Sequence, residues 1–208
     1  MEDLYQLAAD VFTSRTGRKH IFNLTAIDNV SSIIKNGILC YDAASGLEHS
    51  SIANVSVQER REQVVIPNGG RLHGYANCYF DFNNPMFYSK KDEAENICVL
   101  AVNTSVLNNP KCVITDRNAA TDLAKFYSAI DGVEQISFDK VYAQYWTHDD
   151  PYEQMNHKAI KCAEVLVPQC IPYEYVDGAY VVSQTAKIAL EDTGFDRKIV
   201  INPKVFYR

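Results

Sequence analysis

The stretch Lys161-Cys162-Ala163-Glu164-Val165-Leu166-Val167 decides how this chain is read. It has the composition of a strand that is apolar on both faces apart from one carboxylate. An ionised carboxylate taken out of water is expensive unless it is hydrogen-bonded or paired. Glu164 therefore needs an explanation. A ligand hydroxyl supplies one; an edge position facing water, or a neighbouring arginine, supplies another. The strand alone favours the second kind of explanation, so the choice falls to the rest of the sequence.

Immediately upstream, Tyr145 to Met155 is a long polar segment with aromatic and acidic residues. A second polar segment, Asp42 to Asn54, is rich in Ser, Ala and Gly and has no periodicity. Loops of this length in a compact domain are more often functional than idle. Between them, Cys78–Phe82, Ile97–Val102 and Val113–Thr115 read as strands, and Val55 to Gln63 as a helical turn. Asn68-Gly69-Gly70 is a turn signal. Thr115 or Asp116 is expected to cap a helix carrying Leu123, Phe126, Tyr127 and Ile130. Near the N-terminus, Leu4, Ala8, Val11 and Phe12 have helical spacing, and His20 to Leu24 reads as a strand. Thr25, three residues before Asp28, has the spacing of a capping box. Ile27, Val30, Ile33 and Ile34 follow on one helical face that Gly37 stops. Tyr173–Val176, Tyr180–Val182 and Ile199–Ile201 read as strands, with a helix over Thr185–Glu191. Strands and helices mix without βαβ regularity, repeat or linker. The expectation is one α+β domain over residues 1–208.

Composition narrows the function. The 208 residues are 47% hydrophobic and 22% charged, ordinary for a globular protein. No apolar run reaches the length of a membrane span, and Met1-Glu2-Asp3-Leu4 does not begin like a signal peptide. Six scattered cysteines, without a C-x-x-C pair, are expected to be reduced thiols of a cytoplasmic protein. The histidines show no metal-binding spacing. A net charge of −6 argues against broad binding to duplex nucleic acid. Arg60, Arg61 and Arg71 are close enough in sequence to line one short basic groove.

Several motifs, in order, carry a resemblance: Ile21-Phe22-Asn23-Leu24-Thr25-Ala26-Ile27-Asp28-Asn29-Val30, Val57-Gln58-Glu59-Arg60-Arg61, Gly69-Gly70-Arg71-Leu72-His73-Gly74-Tyr75, Tyr79-Phe80 with Pro85-Met86, Thr115-Asp116-Arg117, Tyr145-Trp146, and Ala163-Glu164-Val165-Leu166-Val167. Together they resemble the DarT family of DNA ADP-ribosyltransferases, the toxin half of a toxin–antitoxin pair. The resemblance runs from about Ile21 to the C-terminus. It implies an ADP-ribosyltransferase fold, two packed β-sheets flanked by helices with NAD in the cleft between them. It implies NAD as a substrate and no metal. Single-stranded DNA is the implied acceptor, most often through thymine, with guanine, RNA or protein as alternatives. A macrodomain antitoxin is the implied partner.

The resemblance also distributes roles. Glu164 matches the catalytic glutamate and Arg61 a catalytic arginine. Asn23, Thr25, Asn29, Tyr79 and Met86 fall on the NAD side. Asn23 and Ala26 stand where the family usually has the histidines of H-x-T-H. An asparagine amide both donates and accepts, so it still serves a ribose hydroxyl. Arg60, Tyr145 and Trp146 fall on the DNA side, Arg60 as a phosphate clamp or solvated helix face, the aromatics as stacking platforms or core. His73 is expected to be structural. Arg117 has three open partners: the NAD pyrophosphate, a nucleic-acid phosphate or Asp116. Replacing Glu164 by Ala is expected to abolish modification and leave the fold intact.

Overall fold

The computed structural model describes residues 7–208. Its strands are β1 (His20–Ala26), β2 (Ile38–Leu39), β3 (Tyr75–Tyr79), β4 (Ile97–Asn103), β5 (Val113–Thr115), β6 (Phe126–Ser128), β7 (Glu164–Pro168), β8 (Cys170–Ile171), β9 (Val176–Val181) and β10 (Lys198–Ile201). The α-helices are α1 (Ala8–Thr16), α2 (Val30–Asn36), α3 (Tyr41–Ala44), α4 (Val55–Glu62), α5 (Pro85–Ser89), α6 (Ala129–Gln135), α7 (Phe138–Val141), α8 (Pro151–Lys161) and α9 (Gln184–Asp192).

Eight strands follow the order β10-β9-β4-β1-β3-β7-β5-β6, and β2 pairs with β8 in a small second sheet. The large sheet is two halves that barely meet. Within the first half, β1 and β4 pair along their full length, from His20 with Asn103 to Ala26 with Ile97. Within the second, β3 and β7 pair from Tyr75 with Pro168 to Tyr79 with Glu164. Between the halves, β1 and β3 share one residue pair, Phe22 with Tyr79. Past that point the strands part, and the Asn23 side-chain amide donates across the gap to the Asn77 carbonyl at 2.9 Å. Backbone groups that no ladder satisfies need other partners, and the seam becomes the wall of a cleft.

The apolar runs explain the burial. Ile97 to Val102 is buried at every position, as a central strand covered on both faces must be. Val165, Leu166 and Val167 are likewise buried. Helix α1 buries Ala8, Ala9, Val11 and Phe12; the expected start at Leu4 lies outside the described residues. Ile27, Val30 and Ile33 are buried as their spacing required.

Some expectations need correction. Thr25 is not a helix cap: it belongs to β1, and the turn and helix after it lack side-chain caps. The helix expected over Leu123–Ile130 is β6, paired with β5, followed by α6 with Ser128 as its cap. The strand expected from Lys161 begins at Glu164, because Lys161 ends α8. That helix starts inside the supposed loop, at Asp150, whose side chain accepts from the Tyr152 N–H at 2.9 Å. Tyr173–Tyr175 is a 3-10 turn.

Gly37 shows why the second sheet sits where it does. It closes α2 at φ 77°, and a Cβ added there would lie 2.5 Å from the Ile171 carbonyl oxygen. Only glycine combines that left-handed backbone with so close an approach. Gly37→Ala is expected to lower unfolding stability by more than ~1 kcal/mol, read as a shift in urea midpoint with unchanged slope. An unshifted midpoint would show that the junction yields.

Candidate active site

Glu164 begins β7 directly beside the seam, opposite Tyr79, which is itself opposite Phe22. Its side chain is completely buried. Arg61 Nη1 donates to both carboxylate oxygens, at 3.0 Å each, and the Ala119 backbone N–H donates to Oε1 at 2.9 Å. The Glu164 N–H donates to Thr115 Oγ1 at 3.0 Å, and that hydroxyl donates in turn to the Arg117 carbonyl at 2.6 Å. The carboxylate is thus fixed in position and direction by a helix, a strand and a turn.

Arg61 comes from α4, whose Asn54 cap accepts from the Ser56 N–H. Residues one and four apart along that helix, Val57, Gln58 and Arg61, share the face that lines the cleft. Burial opposes the Arg61 charge, but the charge of Glu164, Tyr79 and the hydrogen bond to Glu164 together hold the guanidinium pKa above its ordinary value. Burial, then the charge of Glu164, pushes the Tyr79 hydroxyl far up, so that it stays protonated.

Three cavities adjoin one another through shared lining residues, and Arg61 lines the second. The first, of about 180 Å³, is lined by Asn23, Thr25, Asn29 and the loop residues Leu47 and His49. The second, of about 350 Å³, shares Asn23 and Leu24 with it and adds Arg61, Tyr79 and Met86. The third, of about 830 Å³, shares Pro85 with the second and holds Tyr145 and Trp146. All five residues expected on the NAD side therefore line two contiguous cavities, and the two aromatics expected on the DNA side line the next.

Their detailed behaviour differs from expectation in places. Asn29 spends its amide on the loop above it: Nδ2 donates to the Ser50 carbonyl at 2.9 Å and Oδ1 accepts from the Ser50 N–H at 2.8 Å. Arg60 is exposed and lines none of the three cavities. The expected basic groove of Arg60, Arg61 and Arg71 does not form, because Arg61 is buried against Glu164 and Arg71 faces Asp42 at 4.0 Å. Arg117 pairs with Asp116 at 3.2 Å and donates to Asn156 at 3.1 Å. His73 is structural: it stacks on Tyr41 at 4.2 Å and meets Gln58 at 3.1 Å, and burial holds its pKa below the usual range.

Sequence reasoning missed five contributors. Thr115 and Ala119 orient Glu164 as above. Asn118 and Cys162 line the second cavity; burial pushes the Cys162 thiol up to about 12, which leaves it a wall rather than a nucleophile. Lys161, fully buried, donates to the Val141 and Ala143 carbonyls at 2.7 and 2.8 Å and lies 3.4 Å from Asp81. It roots the loop that carries Tyr145. The Asp150-Pro151 pair is a helix-start signal that the reading of Tyr145 to Met155 as a loop passed over, but nothing local signals a lysine turned inward.

Comparison with known proteins gives the class and then the family. A DNA ADP-ribosyl transferase of Thermus sp. (strain 2.9) is 30% identical over 175 residues, 79% of this chain and 81% of that protein. The Thermus sp. 2.9 DarT structure in complex with ADP-ribosylated ssDNA superposes with a TM-score of 0.78 at 26% identity, over 91% of this chain and 96% of that one. The same Thermus protein in complex with NAD+ shares the fold at a TM-score of 0.72, 23% identity, 91% and 98% coverage. The fold and the split sheet thus define an ADP-ribosyltransferase domain. A DNA ADP-ribosyl transferase–glycohydrolase fusion protein of Thermosipho africanus is 27% identical over 89% of this chain, which spans only 48% of that longer protein. A family model described as ssDNA thymidine ADP-ribosyltransferase, DarT, matches residues 22–207. The chain belongs to the DarT family.

The Arg61–Glu164 geometry leads to a different expected outcome at Glu164. Removing one member of a buried pair strands the other. Glu164→Ala is expected to lose about 3–5 kcal/mol of stability as well as activity. Glu164→Gln keeps an acceptor for the Ala119 N–H and is expected to stay folded while DNA modification falls at least 100-fold. Thermal unfolding and oligonucleotide mass spectrometry on both variants check this; a stable Ala variant would mean that Arg61 finds another partner.

Proposed function

We infer that this chain transfers ADP-ribose from NAD to thymine in single-stranded DNA. One observation carries the assignment of parts: a fully buried carboxylate, Glu164, lies behind Arg61, which holds it and lines the second cavity. The family's description as a thymidine transferase acting on ssDNA supports the acceptor, and the Thermus complexes with NAD+ and with modified ssDNA support both substrates.

NAD occupies the first two cavities in this reading, with the Asn23 carbonyl and Thr25 near a ribose and Tyr79 and Met86 beside the nicotinamide. Asn29 holds the covering loop. The bond between nicotinamide and ribose breaks with its electron pair leaving on nicotinamide, and positive charge develops on the ribose carbon and ring oxygen. Glu164 accepts a hydrogen bond from a ribose hydroxyl and stabilises that charge. Its Oε2, which accepts only from Arg61 among the described residues, is the atom open to this exchange. Thymine has one unsubstituted ring nitrogen. Its lone pair forms the new bond and its proton passes to water. Arg61 stays charged throughout, so it is no base; it favours the deprotonated thymine and holds it in line. Tyr145 and Trp146 stack on the unpaired strand, and Arg60 meets its phosphates from the exposed side of α4.

Residues 1–208 act as one catalytic domain on this reading. Its toxicity calls for a partner that reverses the modification, and the fusion of a related transferase to a glycohydrolase supports a macrodomain antitoxin. No helix among the described residues is long and apolar enough to cross a membrane. The six cysteines carry free thiols, which supports a cytoplasmic site of action.

A single-stranded oligonucleotide with one thymine is expected to gain one ADP-ribose, and the same strand annealed to its complement is expected to stay unmodified. Pairing hides the ring nitrogen, and exposing it costs several kcal/mol, that is ~3 or more. Mass spectrometry after incubation with NAD compares them. Equal addition to both would show that the loop opens the duplex itself.

A further inference from the structure

Lys161 is a buried cation that the chemistry just described does not use. It ends α8, shortly before Glu164 begins β7, and its side chain is fully covered. Taking an ammonium out of water is costly, and an apolar residue of similar volume serves a core as well or better. Burial accordingly draws the Lys161 pKa below the ordinary lysine value, against the opposing pull of Asp81. Stability alone therefore does not account for a lysine here. What the ammonium supplies, and an apolar residue lacks, is a set of hydrogen-bond donors gathered at one point.

Those donors join two walls. On one side, Nζ donates to the Val141 and Ala143 carbonyls at 2.7 and 2.8 Å, and the Asn83 amide donates to the next carbonyl, of Gln144, at 3.1 Å. Residues 143–148 belong to no helix or strand, so side chains take carbonyls that a ladder would otherwise satisfy. Trp146 lies in this segment with its ring 5.7 Å from Nζ, within cation–π reach. It also packs edge to face on Tyr88 and Tyr207, at 6.2 and 6.5 Å. On the other side, Nζ lies 3.4 Å from the Asp81 carboxylate. The Asp81 carbonyl accepts from the buried Asn84 amide at 2.6 Å, and Asn84 Oδ1 caps α5 by accepting from the Phe87 N–H at 3.1 Å. That helix begins with Pro85 and Met86, which line the second cavity.

We propose that Lys161 is a positioning residue that sets the Tyr145–Trp146 loop against the wall of the second cavity, so that its ammonium governs turnover of the DNA acceptor and leaves NAD binding intact. The inference rests on the DNA-acceptor reading above. Lys161 lines none of the three cavities; it acts through the two carbonyls. Without the ammonium they are left unsatisfied, and the loop turns toward water to satisfy them, which carries Tyr145 and Trp146 away from the acceptor base. The other wall keeps its own hydrogen bonds through Asn84, so Pro85 and Met86 stay in place. A misplacement of about 1 Å costs a reaction up to roughly 100-fold in rate.

Two variants test this. Lys161→Met is close in length and carries no charge. Lys161→Met/Asp81→Asn also removes the carboxylate that the first variant strands, and it decides the matter if Lys161→Met does not fold. The chain has a single tryptophan, Trp146, so its fluorescence reports on the loop alone. In the folded variant the emission is expected to shift to longer wavelength. The rate of modifying a single-stranded oligonucleotide is expected to fall about ten-fold or more, with the KM for NAD unchanged. A lysine that only supports the fold would lower the unfolding temperature and move none of these readouts in the folded variant. Unshifted emission, an unchanged rate, or a KM for NAD raised in step with the lost rate would each overturn the proposal and leave the DNA-acceptor reading standing. An oligonucleotide that the wild-type protein leaves unmodified would overturn that reading itself, and the role of Lys161 with it.

Discussion

The ion pair between Arg61 and Glu164 is the constraint on which the rest depends. Two charges removed from water survive only with close geometry and further hydrogen bonds. Here one guanidinium nitrogen meets both carboxylate oxygens, and a backbone N–H takes a third bond. Such a pair needs a place where the sheet is interrupted. The single residue contact between β1 and β3 provides it. The split sheet, the α4 helix and the turn that presents Ala119 meet at this one carboxylate.

On the proposed reading, the same pair orders the reaction. Glu164 is fully covered, so in that reading a ribose hydroxyl reaches it only by replacing a bond to Arg61. Binding of NAD would then free guanidinium donors for the base. The proposal thus gives the carboxylate to one substrate and the arginine to the other. Coupling of this kind needs no long-range signal, because the two groups are in contact.

Much of this was legible in the sequence, for physical reasons that name its limits. Glu164 stood out because a lone charge in an apolar strand must be paired. Gly37 and the spacing of Ile27, Val30 and Ile33 fixed the first helix after β1. What the sequence withheld were contacts that no local pattern encodes. Arg61 and Glu164 are 103 residues apart, and Ala119 and Glu164 are 45 apart. The family resemblance, not spacing, brought the arginine to the carboxylate. Helix α8 was hidden because its exposed residues include Tyr152 and Met155, 68% and 64% exposed, which blur the apolar stripe. β6 was hidden because Phe126 and Tyr127 have helical spacing with Leu123, which is itself 65% exposed. Tyr207 and Tyr88 gave no sign that they would meet Trp146.

The most direct test is a crystal structure of this chain with a carbocyclic NAD analogue, which cannot lose nicotinamide. The account predicts a ribose hydroxyl within hydrogen-bond distance of Glu164 Oε2 and Arg61 Nη1 withdrawn from that oxygen. A bound analogue with both Arg61–Glu164 contacts kept at 3.0 Å, and no ribose hydroxyl at the carboxylate, would contradict it.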